Sequence, residues 1–131
     1  MVPRIYISGS YEDLVNLSNI IKEFEKSFEI TYDWTNIEDI TLLNNKTYNK
    51  AECIVREHYI EHSDFIIIIM DNPNINYFDT IVEIGLALSY STKVLIYNKI
   101  NINGIYLQHP NILIFDSILD IANHINQLKE V

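Results

Sequence analysis

Asp64-Phe-Ile-Ile-Ile-Ile-Met-Asp71 is a β-branched run without alternation, closed by a charge at each end and followed by Asn72-Pro73. A strand with one solvated face alternates polar and apolar residues. One without a polar face must be buried on both sides, which is the place of a central strand in a parallel sheet. Parallel neighbours require crossover connections, usually helices, so helical segments should flank this run. Downstream, Glu83 lies in an apolar-periodic segment from about Thr80 to Ser89. It is followed by Lys93 to Asn98 (KVLIYN) and Ile112 to Phe115 (ILIF), two further apolar strands. Ser117-Ile-Leu-Asp120 then forms an S-x-x-D capping box before a last helix with Ile118, Ile121, Ala122, Ile125 and Leu128 on one face.

Upstream, Arg4 to Ser8 (RIYIS) reads as a strand ending in the turn Gly9-Ser10. From Glu12 to Lys26, Leu14, Leu17, Ile20, Ile21 and Phe24 recur at helical spacing, with Glu12 and Asp13 in the first turn. Phe28 to Trp34 (FEITYDW) predicts a second strand. A polar stretch through Lys46 leads to a helix from about Thr47 to His62. Strands and helices alternate, and right-handed crossovers leave few ways to wind them. The expectation is one α/β domain over residues 1–131: a doubly wound, flavodoxin-like five-stranded parallel sheet with helices on both faces.

Composition narrows the function. The 131 residues are 48% hydrophobic and 21% charged, enough apolar material for a core, and 18 acidic against 9 basic residues give a net charge of −9. Such a surface repels phosphate backbones, so a nucleic-acid polymer is not an expected partner. The longest apolar run, Phe65 to Met70, is too short to span a bilayer, and the N-terminus carries no basic leader, so neither membrane insertion nor export is expected. A single cysteine, Cys53, fits a reducing cytoplasmic compartment and is expected in the core.

Only three glycines are present, Gly9, Gly85 and Gly104, so neither a G-x-G-x-x-G fingerprint nor a P-loop can be written. His58-Tyr-Ile-Glu61-His62 matches H-x-x-E-H but lacks an obvious third ligand, and no metal or cofactor is expected. In doubly wound sheets ligands bind beyond the carboxyl ends of the strands, near the reversal of strand order. That rule selects Ser8, Gly9 and Ser10 after the first strand, Trp34 after the second, Asp71 to Asp79 after the central one, and Glu83 in the first turn of the helix that follows.

The stretch from Asp64 to Tyr97 resembles the nucleoside 2-deoxyribosyltransferase family: a strand opening with Asp64, a variable loop over Asn72 to Asp79, then Glu83-Ile84-Gly85-Leu86-Ala87, then Lys93 before the next strand. Ile5-Tyr6-Ile7-Ser8-Gly9-Ser10 is similar to the family's opening strand and turn, and the likeness extends over most of residues 4 to 118. The resemblance implies N-glycosidic bond cleavage on a nucleoside or its 5′-monophosphate, with Glu83 as nucleophile and Tyr6 orienting it. It also implies a homodimer or larger assembly. The Ser8–Gly9–Ser10 turn would contact sugar or phosphate, and Trp34, Asp71 and Asp79 would contact base or sugar. Two family acids are replaced: Arg56 stands eight residues before Asp64, and Tyr77 six before Glu83. Arg56 would instead meet a phosphate or an anionic leaving group. The replacements also motivate two other readings, a non-catalytic nucleotide-binding module and, through the likeness of the fold to Toll/interleukin-receptor-like domains, an NAD glycohydrolase.

Overall fold

A computed structural model describes residues 2–36, 45–101 and 103–129. The run that opens the argument forms β3 (Phe65–Met70), in which every residue is buried. Around it lie β1 (Arg4–Ser8), β2 (Glu29–Ile30), β4 (Lys93–Asn98) and β5 (Ile112–Phe115), in the order β2-β1-β3-β4-β5 with every pair parallel. The helices are α1 (Leu14–Glu25), α2 (Lys46–Glu61), α3 (Phe78–Ser89) and α4 (Ile118–Lys129). This is the expected doubly wound sheet, and its strand order reverses between β1 and β3.

Register places the site. Tyr6 pairs with Ile66 and Ser8 with Ile68, so β1 ends level with the interior of β3, and the chain turns at Gly9 directly over the sheet. The turn sits close to α1: a Cβ on Gly9 would lie 2.8 Å from both terminal methyls of Leu17, a fully buried residue. After the turn the Ser10 hydroxyl accepts from the Glu12 amide at 3.2 Å and caps a single 3-10 turn, Tyr11–Asp13. Helix α1 therefore starts two residues later than the acidic pair Glu12 and Asp13 suggests.

Two more boundaries differ from expectation. The second strand, expected through Trp34, pairs only over Glu29–Ile30, with Thr31 N still donating to Ile5 O at 2.9 Å. The next acceptor in that ladder is Ile7 O, and the Trp34 indole N–H takes it at 2.7 Å, so the backbone leaves the sheet. Helix α3 begins at Phe78 rather than Thr80, because the Asn76 side chain accepts from Phe78 N at 2.9 Å and starts the helix early. Glu83 consequently stands in the second turn. The expected cap on the last helix forms through its serine, with Asp120 N donating to Ser117 Oγ at 3.0 Å. Most of the polar stretch between β2 and α2, residues 37–44, lies outside the described residues.

Candidate active site

Residues two apart on a strand share a face, so Tyr6 and Ser8 both project to the side of the sheet where α3 packs. There they meet Glu83. The Tyr6 hydroxyl donates to Glu83 Oε2 at 3.0 Å and the Ser8 hydroxyl to Oε1 at 2.6 Å, so each carboxylate oxygen has its own donor. Glu83 is 7% exposed, and Tyr6 and Ser8 are fully buried. A glutamate so enclosed is ordinarily neutral. Burial raises its pKa above the usual carboxylate value, opposed by the Ser8 hydrogen bond, the nearby Arg56 charge and the Tyr6 hydrogen bond. Burial and then the adjacent carboxylate raise Tyr6 well above the ordinary phenol value, so it stays a donor. Since α3 starts at Phe78, the helix dipole, which falls off within the first turn, contributes less to holding Glu83 ionised than its expected first-turn position implied. The two hydroxyls and Arg56 take that role.

Glu83 opens into a cavity of about 520 Å³ bounded by the Gly9–Glu12 turn, one side of α2 and the first two turns of α3. Its volume is in the range of small-molecule pockets. Gly9, Ser10, Arg56 and Asp79 line it with Glu83. Ser8, Tyr6 and Trp34 stand behind the wall, and Asp71 is elsewhere. Asn16 bridges Asp71 (3.2 Å) to Asp13 (2.9 Å) on the α1 side of the strand ends. Trp34, 2% exposed, presents its ring to the Arg56 guanidinium, whose central carbon lies 4.7 Å from the ring centroid. Tyr77 is also buried, and its hydroxyl accepts from Asn72 N at 3.1 Å, closing the loop that follows β3.

Cys53, expected in the core, is exposed and lines the cavity, because α2 turns that polar side toward the site. Sequence reasoning passed over its neighbour Glu52. Glu52 accepts from Arg56 Nε at 3.1 Å and from the Tyr32 hydroxyl at 2.9 and 3.0 Å. The Glu52–Arg56 spacing of i,i+4 on a predicted helix was the signal available for it. Burial and the Glu52 hydrogen bond push Tyr32 up to about 12, and its ring stacks on Tyr59 at 5.0 Å. Arg56 keeps its charge: burial opposes it, but Tyr6, Glu83 and Glu52 together raise it above the ordinary value. Thr80, one turn before Glu83, also lines the cavity, and its buried hydroxyl oxygen has no partner among the described residues. His58 and His62 sit ring against ring on α2, 4.4 Å apart, and among the described residues no cluster of three or more His, Cys, Asp or Glu side chains is arranged to hold a metal ion.

This chain is similar to the 2-deoxyribosyltransferase of the psychrotolerant bacterium Bacillus psychrosaccharolyticus, at TM-score 0.68 and 11% identity over 92% of this chain and 90% of that one. The fold is that of a 2-deoxyribosyltransferase. A second similar structure is the CMP N-glycosidase of Clostridium botulinum, at TM-score 0.50 and 15% identity over 96% of this chain and 98% of that one. No family model matches the sequence, and no curated protein does. At such identities the likeness carries the 2-deoxyribosyltransferase fold alone.

Proposed function

We propose that this protein cleaves the N-glycosidic bond of a nucleoside or nucleotide through a glycosyl ester on Glu83. The observation that carries the reading is the Glu83 carboxylate at the floor of the cavity, buried yet held by Tyr6 on one oxygen and Ser8 on the other. A carboxylate is a competent nucleophile toward an oxocarbenium-like C1′. Two donors fix its rotamer and favour its anion against the burial that opposes it. Desolvation by the walls leaves it less solvated than in water, so attack requires less solvent rearrangement.

In the first step a Glu83 oxygen forms a bond to C1′ as the C1′–N bond breaks and its electron pair leaves with the base. In the second, water or another base attacks C1′ from the opposite face and releases Glu83. The sugar keeps its configuration through two inversions. A sugar hydroxyl near Thr80 would supply the partner its buried oxygen lacks. No cofactor or metal enters the reaction as written. The two similar structures, a deoxyribosyltransferase and a CMP N-glycosidase, support this reaction class. The reading extends to a cytoplasmic protein that self-associates: Phe78 is 69% exposed and Ile81 50% exposed on α3 beside the cavity, an apolar face suited to a second copy.

The test is chromatography of the protein incubated with nucleosides, their 5′-monophosphates and NAD, with and without an added free base, beside Glu83→Ala. Free base released by the native protein and lost by at least about 10³-fold in the variant supports the reading, and exchange onto the added base makes the activity a transfer. Intact nucleotide bound without cleavage would replace it with a binding module. Loss of NAD alone would make the protein an NAD glycohydrolase.

A further inference from the structure

A breaking C1′–N bond delivers an electron pair to the base, which then either takes a proton or departs as an anion. Protonation needs an acid free to give up its proton. On the α2 wall of the cavity the two carboxylates are already engaged as acceptors: Glu52 by Arg56 and Tyr32, Glu57 by the Tyr90 hydroxyl. The remaining charged group on that wall is Arg56, whose guanidinium does not give up a proton under ordinary conditions. What it can do is hold negative charge.

Its placement is unusually constrained. One face of the guanidinium lies on the Trp34 ring and Nε is tied to Glu52, which is its one hydrogen-bond partner among the described residues. The terminal amino groups remain available to the cavity. Trp34 is in turn anchored on Ile7 O, the carbonyl between the two residues that hold Glu83. Nucleophile and cation are thereby referenced to the same three residues of β1. A fixed charge of this kind stabilises charge that develops in a transition state without reorganising during the step.

We propose that Arg56 receives the departing base as an anion, so that the site takes nucleosides whose bases are acidic enough to leave unprotonated, of the uracil and oxopurine type, ahead of cytosine-type nucleosides. The proposal rests on Glu83 as nucleophile. In the step, the Glu83 Oε–C1′ bond forms, the C1′–N bond breaks, its electron pair stays on the base nitrogen, and the anion pairs with Arg56 until solvent protonates it on release.

The experiment measures kcat/KM for 2′-deoxyuridine, uridine, 5-fluoro-2′-deoxyuridine, inosine and 2′-deoxycytidine, with native protein, Arg56→Met, Arg56→Lys and Asp79→Asn, from pH 5 to 9, with thermal melts of each. Arg56→Met should lose about 10²–10³-fold on 2′-deoxyuridine, and clearly less on 5-fluoro-2′-deoxyuridine, whose more acidic base needs less help. Arg56→Lys, which keeps the charge without the fork, should fall between and retains the test if Arg56→Met does not fold. The native rate should show no decline between pH 7 and 9. Equal losses across the two pyrimidines would confine Arg56 to holding Glu83 ionised and overturn the proposal. So would an alkaline decline abolished by Asp79→Asn, or 2′-deoxycytidine cleaved as well as 2′-deoxyuridine, since each indicates protonation of the base; in all three cases Glu83 chemistry stands. Absence of cleavage on every substrate would remove the glycosidase reading and this proposal together.

Discussion

Glu83 is caught between burial, which favours its neutral acid, and three groups that favour its anion, and catalysis by a carboxylate nucleophile needs the anion. The rate should therefore rise with pH along one limb set by Glu83 ionisation, at a pH above that of an ordinary glutamate because burial is the largest influence. Both hydroxyls lower that position, so removing either moves the limb to higher pH. Ser8→Ala should move it further than Tyr6→Phe, as the Ser8 bond is the shorter (2.6 against 3.0 Å) and the stronger influence on the carboxyl. Each loss of a hydrogen bond to a charged group is expected to lower kcat/KM by roughly 10–100-fold near neutrality, corresponding to about 1.5–3 kcal/mol. A pH–rate profile of the three proteins checks this, and a limb that does not move in either variant would remove the hydroxyls from the nucleophile's control. Tyr6 and Glu83 were legible as partners from the resemblance of their flanking residues, whereas Ser8 read as a ligand contact. Its hydroxyl is spent on Glu83 because it lies two residues from Tyr6 on the same strand face, a pairing visible only once α3 is placed.

At the scale of the element, the turn after β1 decides how near the cavity comes to the sheet. Gly9 is required there by close approach: the methyls that a Cβ would meet at 2.8 Å belong to a leucine with no exposed surface and little room to move. Gly9→Ala should destabilise the fold by about 1–3 kcal/mol through overpacking and reduce activity by displacing Ser8 and Ser10. Denaturant melts beside Gly104→Ala measure this, since no atom lies within 4 Å of the Cβ position at Gly104. Comparable melts for both would show that Leu17 yields. Long periodic elements such as α1 and α4 are readable because many side chains vote for one face. The short ones are not: β2 ends where a single indole takes Ile7 O, and α3 starts where a single Asn76 oxygen accepts an amide, and neither bond leaves a repeating pattern.

For the molecule as a whole, charge is the main control on what enters the site. The net charge is −9, and among the described residues the cavity is lined by Glu12, Glu52, Glu57, Asp79 and Glu83 with Arg56 as the one basic residue. Ser10, a candidate phosphate donor, accepts from Glu12 N with its hydroxyl oxygen, and both residues line the cavity. A nucleoside should thus be preferred over its 5′-monophosphate by about tenfold or more in kcat/KM at low ionic strength, with the preference shrinking as salt screens the field. Rates on matched pairs at two salt concentrations decide it, and faster turnover of the monophosphate would show that the turn binds phosphate despite the field. The sequence alone determined the α/β class, the central position of β3 and the strand-end location of the site, because hydrophobic runs and their spacing are one-dimensional records of burial. It also marked Glu83, Tyr6 and Arg56 as the residues to watch. Only the tertiary structure decided that Ser8 bonds Glu83, that Asp71 faces α1, that Cys53 is exposed, and that Trp34 and Glu52 clamp Arg56. Those assignments depend on which side chains from distant segments meet, and a hydrogen bond across 75 residues has no local signature in the chain.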